Sequence, residues 1–423
     1  MKLTELDKQE FADFSENNPQ ALFFQTPYWI EIKEQNNWSG KIVGFKENGE
    51  IIAATVLMFK KTPGLNAKLA YAPRGFLLDY SNFPLLEEFT KEIKKYLKTQ
   101  NAFFLKINPY VDYQLRDVDG NAIEGTKQDA LMDKLRELGF IHNGFYINQD
   151  SKDDLEPRWI SVLDIGGKSF DELYKNMRSG TKWGINNSKK NFITILEADE
   201  NNLIEFKNLM VHTAERRGFI DRPLSYYQEM YKVLKRENAV KVLLAQIDFK
   251  ALLDFSQEKF DKNSGRLSVI KDNPKKAKET AEIEFEQGCL AERIETLKGN
   301  IAEFGEKKVI AGGWYIMHGK EIVYLFGASY KPFMKYNSQY LLQQVMIEYA
   351  IENGYDKFNF YGIDGNFDKN SKHFGLFDFK RGFGAVVHEL IGEFDLIISK
   401  PTYTLYKLML KGYKELKFIK NKI

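Results

Sequence analysis

The chain contains one cysteine, Cys289, in 423 residues, which excludes an internal disulfide framework and points to a reducing compartment. Its five histidines, His142, His212, His318, His373 and His388, fall at no metal-ligand spacing. With a single thiol beside them, no metal site is expected. No stretch approaches the ~18 consecutive apolar residues that span a bilayer. The opening run Met1-Lys-Leu-Thr-Glu-Leu-Asp-Lys-Gln-Glu10 is charged throughout, unlike a signal peptide, so a cytoplasmic protein is expected. Net charge is only +2, too small for a global field that draws the chain to nucleic acid or anionic lipid, and such contacts would need local patches. A G-x-S-x-G elbow, a P-loop and an H-E-x-x-H helix are also missing. Arg381-Gly-Phe-Gly-Ala385 offers a G-x-G without the third glycine of a dinucleotide site.

What is present is an ordered composition, 43% hydrophobic and 28% charged, on a chain long enough for two or three domains. Val309–Met317 reads as a strand, His318-Gly-Lys-Glu321 as a tight turn and Ile322–Tyr330 as its hairpin partner. Asn337-Ser338 then offers an N-cap to the amphipathic run Tyr340–Ile351, Asn353-Gly354 ends it, and Phe358–Ile363 is a further strand. The same order occurs earlier in the chain. Thr26-Pro27 caps a short helix from Tyr28 to Gln35, with Trp29 and Lys33 on one face. Strands follow at Ile42–Phe45, Ile51–Phe59 and Leu69–Tyr71, then a helix from about Pro84 to Leu97 and the strand Phe103–Ile107. Strand, hairpin, helix, strand is the heart of an N-acetyltransferase sheet, and its recurrence points to two copies of one unit.

Leu290, Ile294, Leu297, Ile301 and Phe304 keep the spacing of a coiled-coil seam, and Asp272-Asn-Pro274 interrupts the helix midway. The expected architecture is therefore an α+β (mixed α/β) chain of two N-acetyltransferase-like (GNAT-like) subdomains with an inserted antiparallel coiled-coil hairpin. Residues 1–150 form the first subdomain, 151–247 with 307–399 the second, and 248–306 the hairpin, whose seam also offers a route to a homodimer. The closing segment 400–423 carries six lysines among Leu, Tyr and Met from Tyr403 on. It fits a basic amphipathic helix on a membrane or RNA, or a helix packed on the first subdomain.

Lys175–Lys190 is unusually basic, with Arg178, Lys182, Lys189 and Lys190 and no acid among them. It fits both a solvated helix face and a contact to a nucleic-acid backbone. A coenzyme A enzyme of this fold needs a glycine-rich loop after the central strand, whereas Ser329-Tyr-Lys-Pro-Phe-Met-Lys-Tyr336 has no glycine, which disfavours that donor. Phe377-Asp-Phe-Lys-Arg-Gly-Phe383 sets Lys380 and Arg381 in a loop, where a lone lysine is by default solvated and could alternatively stabilise an oxyanion. Tyr324 and Tyr361 lie inside strand patterns as core tyrosines.

Tyr324-Leu-Phe-Gly-Ala-Ser329, Phe360-Tyr-Gly-Ile363 and Gly375-Leu-Phe-Asp-Phe-Lys-Arg-Gly-Phe383 together resemble the FemABX (Fem/Mur) family of peptidoglycan interpeptide-bridge aminoacyltransferases. Gln25-Thr-Pro-Tyr-Trp29, Lys106-Ile-Asn-Pro109 and Glu215-Arg-Arg-Gly-Phe219 extend the resemblance over nearly the whole chain, inserted hairpin included. The resemblance implies transfer of an amino acid from aminoacyl-tRNA to the stem-peptide amine, commonly lysine, of a lipid-linked or UDP-linked muropeptide precursor, with no cofactor. It implies that Lys33, Arg222 and Tyr226 hold the precursor's phosphates and sugar, that Tyr324 and Tyr361 line the same cleft, and that Lys380 beside Phe379 meets the reacting ester. Asn108 departs from the acidic residue many members carry there, which puts a general base at that position in doubt. Arg178, Lys182, Lys189 and Lys190 become candidates for tRNA contact, and the cytoplasmic membrane face a candidate partner. Two rival readings are a coenzyme A dependent N-acyltransferase and a non-enzymatic coiled-coil interaction protein.

Overall fold

The computed structural model describes residues 1–147 and 156–420, with side chains of the last helix described to residue 412. Two mixed sheets carry the chain. The first runs, edge to edge, Thr4–Glu5, Ser39–Glu47, Glu50–Lys61, Lys68–Ala72, Ala102–Ile107, Phe394–Ile397 and Phe140–His142. The second runs Asp112–Leu115, Val386–Leu390, Trp159–Asp164, Lys357–Gly362, Glu321–Ser329, Lys307–His318, Val240–Asp248 and Ile193–Glu197. Each sheet is antiparallel except for one pair joined across a helix, Lys68–Ala72 with Ala102–Ile107 and Glu321–Ser329 with Lys357–Gly362. These are two N-acetyltransferase-like units.

Local chemistry accounts for the helices that were legible. Thr26 Oγ1 accepts from the Trp29 amide at 3.2 Å with Pro27 in the first turn, a cap that contributes about 1 kcal/mol. In helix Phe83–Thr99, Leu86, Phe89, Ile93 and Leu97 recur every three to four residues and are fully buried, so one face lies on the first sheet. Burying each of them stabilises the fold by about 1.5–3 kcal/mol. Asn337 differs from its expected part: it stands before helix Ser338–Glu352 with φ +58°, and its side chain caps nothing. Its backbone makes the turn instead.

The units are not consecutive blocks. Phe394–Ile397, from the end of the second half, pairs with Ala102–Ile107 and Phe140–His142 in the first sheet. Asp112–Leu115, from the first half, pairs with Val386–Leu390 in the second. Each unit thus receives an edge or near-edge strand from the other, an exchange absent from the spans expected from sequence. Lys106 secures it with ion pairs to Glu393 at 2.6 Å and Asp395 at 3.2 Å.

Helices Phe249–Ile270 and Ala277–Phe304 form the inserted hairpin, with a 3-10 turn at Pro274–Lys276 between them. Arg266 pairs with Glu279 and Lys259 with Glu286, a crossing order that makes the arms antiparallel. The seam residues Leu290, Ile294 and Leu297 are buried within this chain. A homodimer therefore cannot use that seam. At the other end, helix Lys400–Lys420 lays Tyr403 and Tyr406 on Phe103 and Phe104 of the first sheet.

Candidate active site

The parallel pair of the second sheet makes the opening. Its register holds only for Glu321–Val323 against Lys357–Asn359. Beyond that the strands part, and Tyr324–Gly327 and Phe360–Ile363 face a cavity of about 790 Å³ rather than each other. The corresponding pair in the first sheet stays in register to Ala72 and Ile107. The opening lies at the carboxyl ends of the parallel strands, where mixed sheets bind ligands. A register break between Asn359 and Tyr361 and a left-handed Tyr361 (φ +64°) turn the end of the strand. The Asn359 side chain steadies that turn by accepting from the Tyr361 amide at 2.7 Å.

Lys380 is the group buried against this turn. It lies in helix Phe374–Arg381, not in the solvated loop expected from sequence, and is 4% exposed. The run of phenylalanines around it forms the helix face: Phe377 packs on the second sheet, while Phe379 packs edge-on against Tyr340 at 4.9 Å and lines the cavity. The Lys380 Nζ donates to the carbonyls of Gly362 at 2.6 Å and Tyr361 at 3.2 Å. No carboxylate pairs with it among the described residues. Burial, and secondarily the Arg217 charge, pull its pKa from 10.5 down to about 7. Arg381, expected beside it in the loop, ends the helix and is tied to Asp119 at 2.6 Å and Asp378 at 2.7 Å.

The cavity's other charges divide by sign. Arg216 and Arg217 line it, are exposed, and have no ion-pair partner among the described residues. Arg158 is engaged with Glu389. Among the described residues, Glu156 is the one carboxylate on the lining. The Tyr361 hydroxyl donates to Glu156, so a single tyrosine carries Lys380 on its carbonyl and Glu156 on its phenol. Burial raises the Glu156 pKa, more than Arg74, the tyrosine, Lys33 and Arg222 lower it.

Those cations locate the second half of the site. Lys33 lies over the Trp29 ring at 4.6 Å, as the helical spacing implied, and Arg222 lies over Tyr226 at 4.6 Å. Burial lowers the Lys33 pKa, and Glu156 raises it while Arg222 lowers it, so the three charges act on one another. Lys33, Arg222 and Tyr226 thus gather near Glu156. They do not line the large cavity. Tyr324 does, with its hydroxyl donating to Gln339 at 2.9 Å.

Asn108 sits below. It is buried, and its Oδ1 accepts from the Arg74 amide at 2.8 Å and the Tyr71 hydroxyl at 3.2 Å. Arg74 in turn donates to the Pro157 carbonyl at 2.7 Å. Asn108 is therefore off the large cavity and holds the residue that holds the Glu156-Pro157 segment. Sequence reasoning missed Glu156. An acid before Pro157 with no periodic pattern around it carries no signal beyond its type.

Of the basic run, Arg178 is engaged with Asp378 at 2.8 Å and Lys182 donates to the Lys175 carbonyl at 2.7 Å, while Lys189 and Lys190 are exposed. Trp183 on the same helix, Ser179–Lys189, is 62% exposed. The helix meets the Lys380 helix through the Arg178 amide, which donates to the Gly382 carbonyl at 3.0 Å.

A splayed parallel pair and a buried lysine bonded to the carbonyls at its end make up the candidate active site. The protein is an aminoacyltransferase. The FemAB family model matches residues 6–411, and the chain belongs to that family. It is 32% identical over 420 residues to aminoacyltransferase FemA of Staphylococcus epidermidis and of Staphylococcus aureus, covering 97% of this chain and 99% of each relative. A crystal structure of FemX superposes with a TM-score of 0.76 at 28% identity, over 96% of this chain and 99% of that one.

Proposed function

We propose that the enzyme takes an amino acid from aminoacyl-tRNA and joins it to the stem-peptide amine, a lysine amine, of a peptidoglycan precursor, building the interpeptide bridge. The observation that carries this reading is the buried Lys380 Nζ at the mouth of the splay. In its protonated form, two of its three hydrogens are taken by the carbonyls of Tyr361 and Gly362, leaving one for the oxyanion that forms when an amine attacks an ester. Preorganised and dry, such a donor is worth a factor of about 10²–10³ in rate.

Arg216 and Arg217, unpaired at the cavity edge, suit the phosphates of the donor's acceptor end. Lys33 and Arg222 suit the precursor's pyrophosphate, whether the precursor is lipid-linked or UDP-linked, and Tyr226 keeps the guanidinium flat. Trp183, Lys189 and Lys190 give the donor RNA a stacking surface and two exposed cations beside the Lys380 helix. The donor ester is already activated, so the reaction needs no cofactor. Helix Lys400–Lys420 exposes Leu405 and Leu408 between lysines, which favours peripheral contact with the cytoplasmic membrane face.

The test incubates purified protein with bulk charged tRNA, each amino acid labelled in turn, and a lysine-containing precursor in nucleotide-linked and lipid-linked forms. The expected result is label on the precursor, abolished by ribonuclease. No transfer from any charged tRNA to either acceptor overturns the reading.

A further inference from the structure

Resting on that reading, we infer that Glu156 is the base that takes the proton from the attacking amine. Among the described residues, the arginines of the cavity wall, Arg158, Arg216 and Arg217, repel an ammonium group, and Glu156 is the carboxylate of the lining that attracts one. An amino group drawn to Glu156 lies one tyrosine away from Lys380, because the Tyr361 phenol is bound to the first and its carbonyl to the second. The base and the oxyanion donor are thereby held by one tyrosine, the first on its phenol and the second on its backbone carbonyl.

Asn108, the residue at the position where a carboxylate was sought, cannot serve. It has no proton-accepting charge, and its Oδ1 is committed to the Arg74 amide and the Tyr71 hydroxyl. Its effect reaches the reaction through Arg74, whose guanidinium holds the Pro157 carbonyl next to Glu156. Glu156 also borders a second, small void of about 10 Å³ shared with Arg74, Asn108 and Glu393, so it stands between the reaction cavity and the interior of the unit interface.

The step balances as follows. A lysine side chain is protonated near neutrality, with a pKa of about 10.4, and as an ammonium it has no lone pair. One N–H bond breaks and its proton passes to a Glu156 oxygen. The freed nitrogen pair forms the C–N bond at the ester carbon, and the carbonyl pair moves to oxygen, facing Lys380. Collapse breaks the ester C–O bond, and the ribose oxygen leaves with the second proton from the nitrogen. Glu156 returns the first proton to solvent when product departs. Burial that raises the Glu156 pKa makes it a better base for this purpose than a solvated carboxylate.

The experiment compares wild type, Glu156→Gln and Glu156→Asp on two acceptors, the lysine precursor and an analogue whose terminal amine is replaced by an aminooxy group. The aminooxy nitrogen is unprotonated across the assay range and has no first proton to surrender. For the lysine acceptor, kcat of Glu156→Gln is expected to fall by about 10²–10⁴ with KM changed by a few-fold, and the deficit to shrink as pH approaches the acceptor's own pKa. For the aminooxy acceptor the fall is expected to stay under about tenfold, and Glu156→Asp is expected to recover part of the lysine activity. Equal losses on both acceptors at every pH, or no loss on either, overturn the inference. Wild type supplies the same test without any variant: its kcat with lysine should decline on the acid side through one ionisation, and with the aminooxy acceptor it should not. A wild-type enzyme active on lysine without that limb overturns the assignment of Glu156 alone. A wild type that transfers nothing to either acceptor overturns the functional reading together with it.

Discussion

Lys380→Met should change stability in a way that depends steeply on pH. The folded lysine has a pKa of about 7 against 10.5 when solvated. Between those values the unfolded chain holds a proton that the folded chain does not. Stability therefore rises with pH across this window. With each factor of ten in proton affinity worth about 1.4 kcal/mol, burying the charged form costs about 5 kcal/mol below pH 7. That penalty is complete on the acid side and vanishes as pH passes 10.5. Methionine fills a similar volume with no charge and removes it. It also leaves the Tyr361 and Gly362 carbonyls without their donor, a loss of about 1–3 kcal/mol that does not vary with pH. The slope is thus more diagnostic than the absolute difference. Urea unfolding of both proteins at several pH values gives that slope, and the advantage of the variant should shrink by about 2 kcal/mol between pH 7 and pH 9. Aminoacyl transfer by the variant should fall by about 10²–10³ near and below pH 7, where the wild-type lysine is protonated. A stability difference constant within about 0.5 kcal/mol over that range would refute the argument that the lysine is buried near neutrality in its own pKa.

Three further outcomes are expected. Lys33→Met and Arg222→Met should each raise the precursor KM about tenfold with little change in the donor KM, since a charge-assisted contact to phosphate is worth about 1.5 kcal/mol; equal effects on both substrates would place the pyrophosphate elsewhere. Asn108→Ala should lower stability by about 1–3 kcal/mol, because the buried Arg74 amide and Tyr71 hydroxyl lose their acceptor. A melting point unchanged by that variant counts against the positioning chain from Asn108 to Pro157. Trp183→Ala combined with Lys189→Ala and Lys190→Ala should leave the melting point within about 2 °C, since these side chains are exposed. The same triple variant should weaken tRNA binding and flatten its salt dependence by about 1.5 in log–log slope; an unchanged slope would return this helix face to plain solvent.

The hairpin-helix-strand order was legible because it is written in local chemistry. The continuous apolar run Val309–Met317, the Thr26-Pro27 cap and the Asn353-Gly354 stop act over a few residues, and the elements they imply lie where expected to within two or three positions. The strand exchange was not legible. Asp112–Leu115 and Phe394–Ile397 have four residues each, too short for periodicity, and their partners are chosen by contacts more than 200 residues away. Local reasoning set Lys380 in a solvated loop, whereas it is buried in a helix. A lysine's default is solvent, and only the phenylalanines on the same helix, packed on the sheet and on Tyr340, override it. Glu156 was out of reach for a different reason: among the described residues it is the acid on a surface assembled from seven separate segments.

The two-unit construction matters to the chemistry through where each charged group originates. Lys33, Arg74 and Asn108 come from the first unit, and Arg222, Tyr361 and Lys380 from the second. If the units were joined only by side-chain docking, the acceptor and ester groups would shift against each other whenever a large substrate pulled on one of them. A displacement of about 1 Å is enough to cost a hundredfold in rate. Here the joint is hydrogen-bonded sheet. Phe394–Ile397 is paired on both sides within the first sheet, and Val386–Leu390, just upstream of it, is paired on both sides within the second. The short link from Leu390 to Phe394 therefore spans two sheets whose strands are each fixed by neighbours. The Ile391 amide is itself bonded to the Val111 carbonyl, so the two crossings brace each other. That brace joins the sheet that carries Arg74 and Asn108 to the sheet that carries Tyr361, and the side-chain bonds from Arg74 to the Pro157 carbonyl and from Tyr361 to Glu156 span the joint.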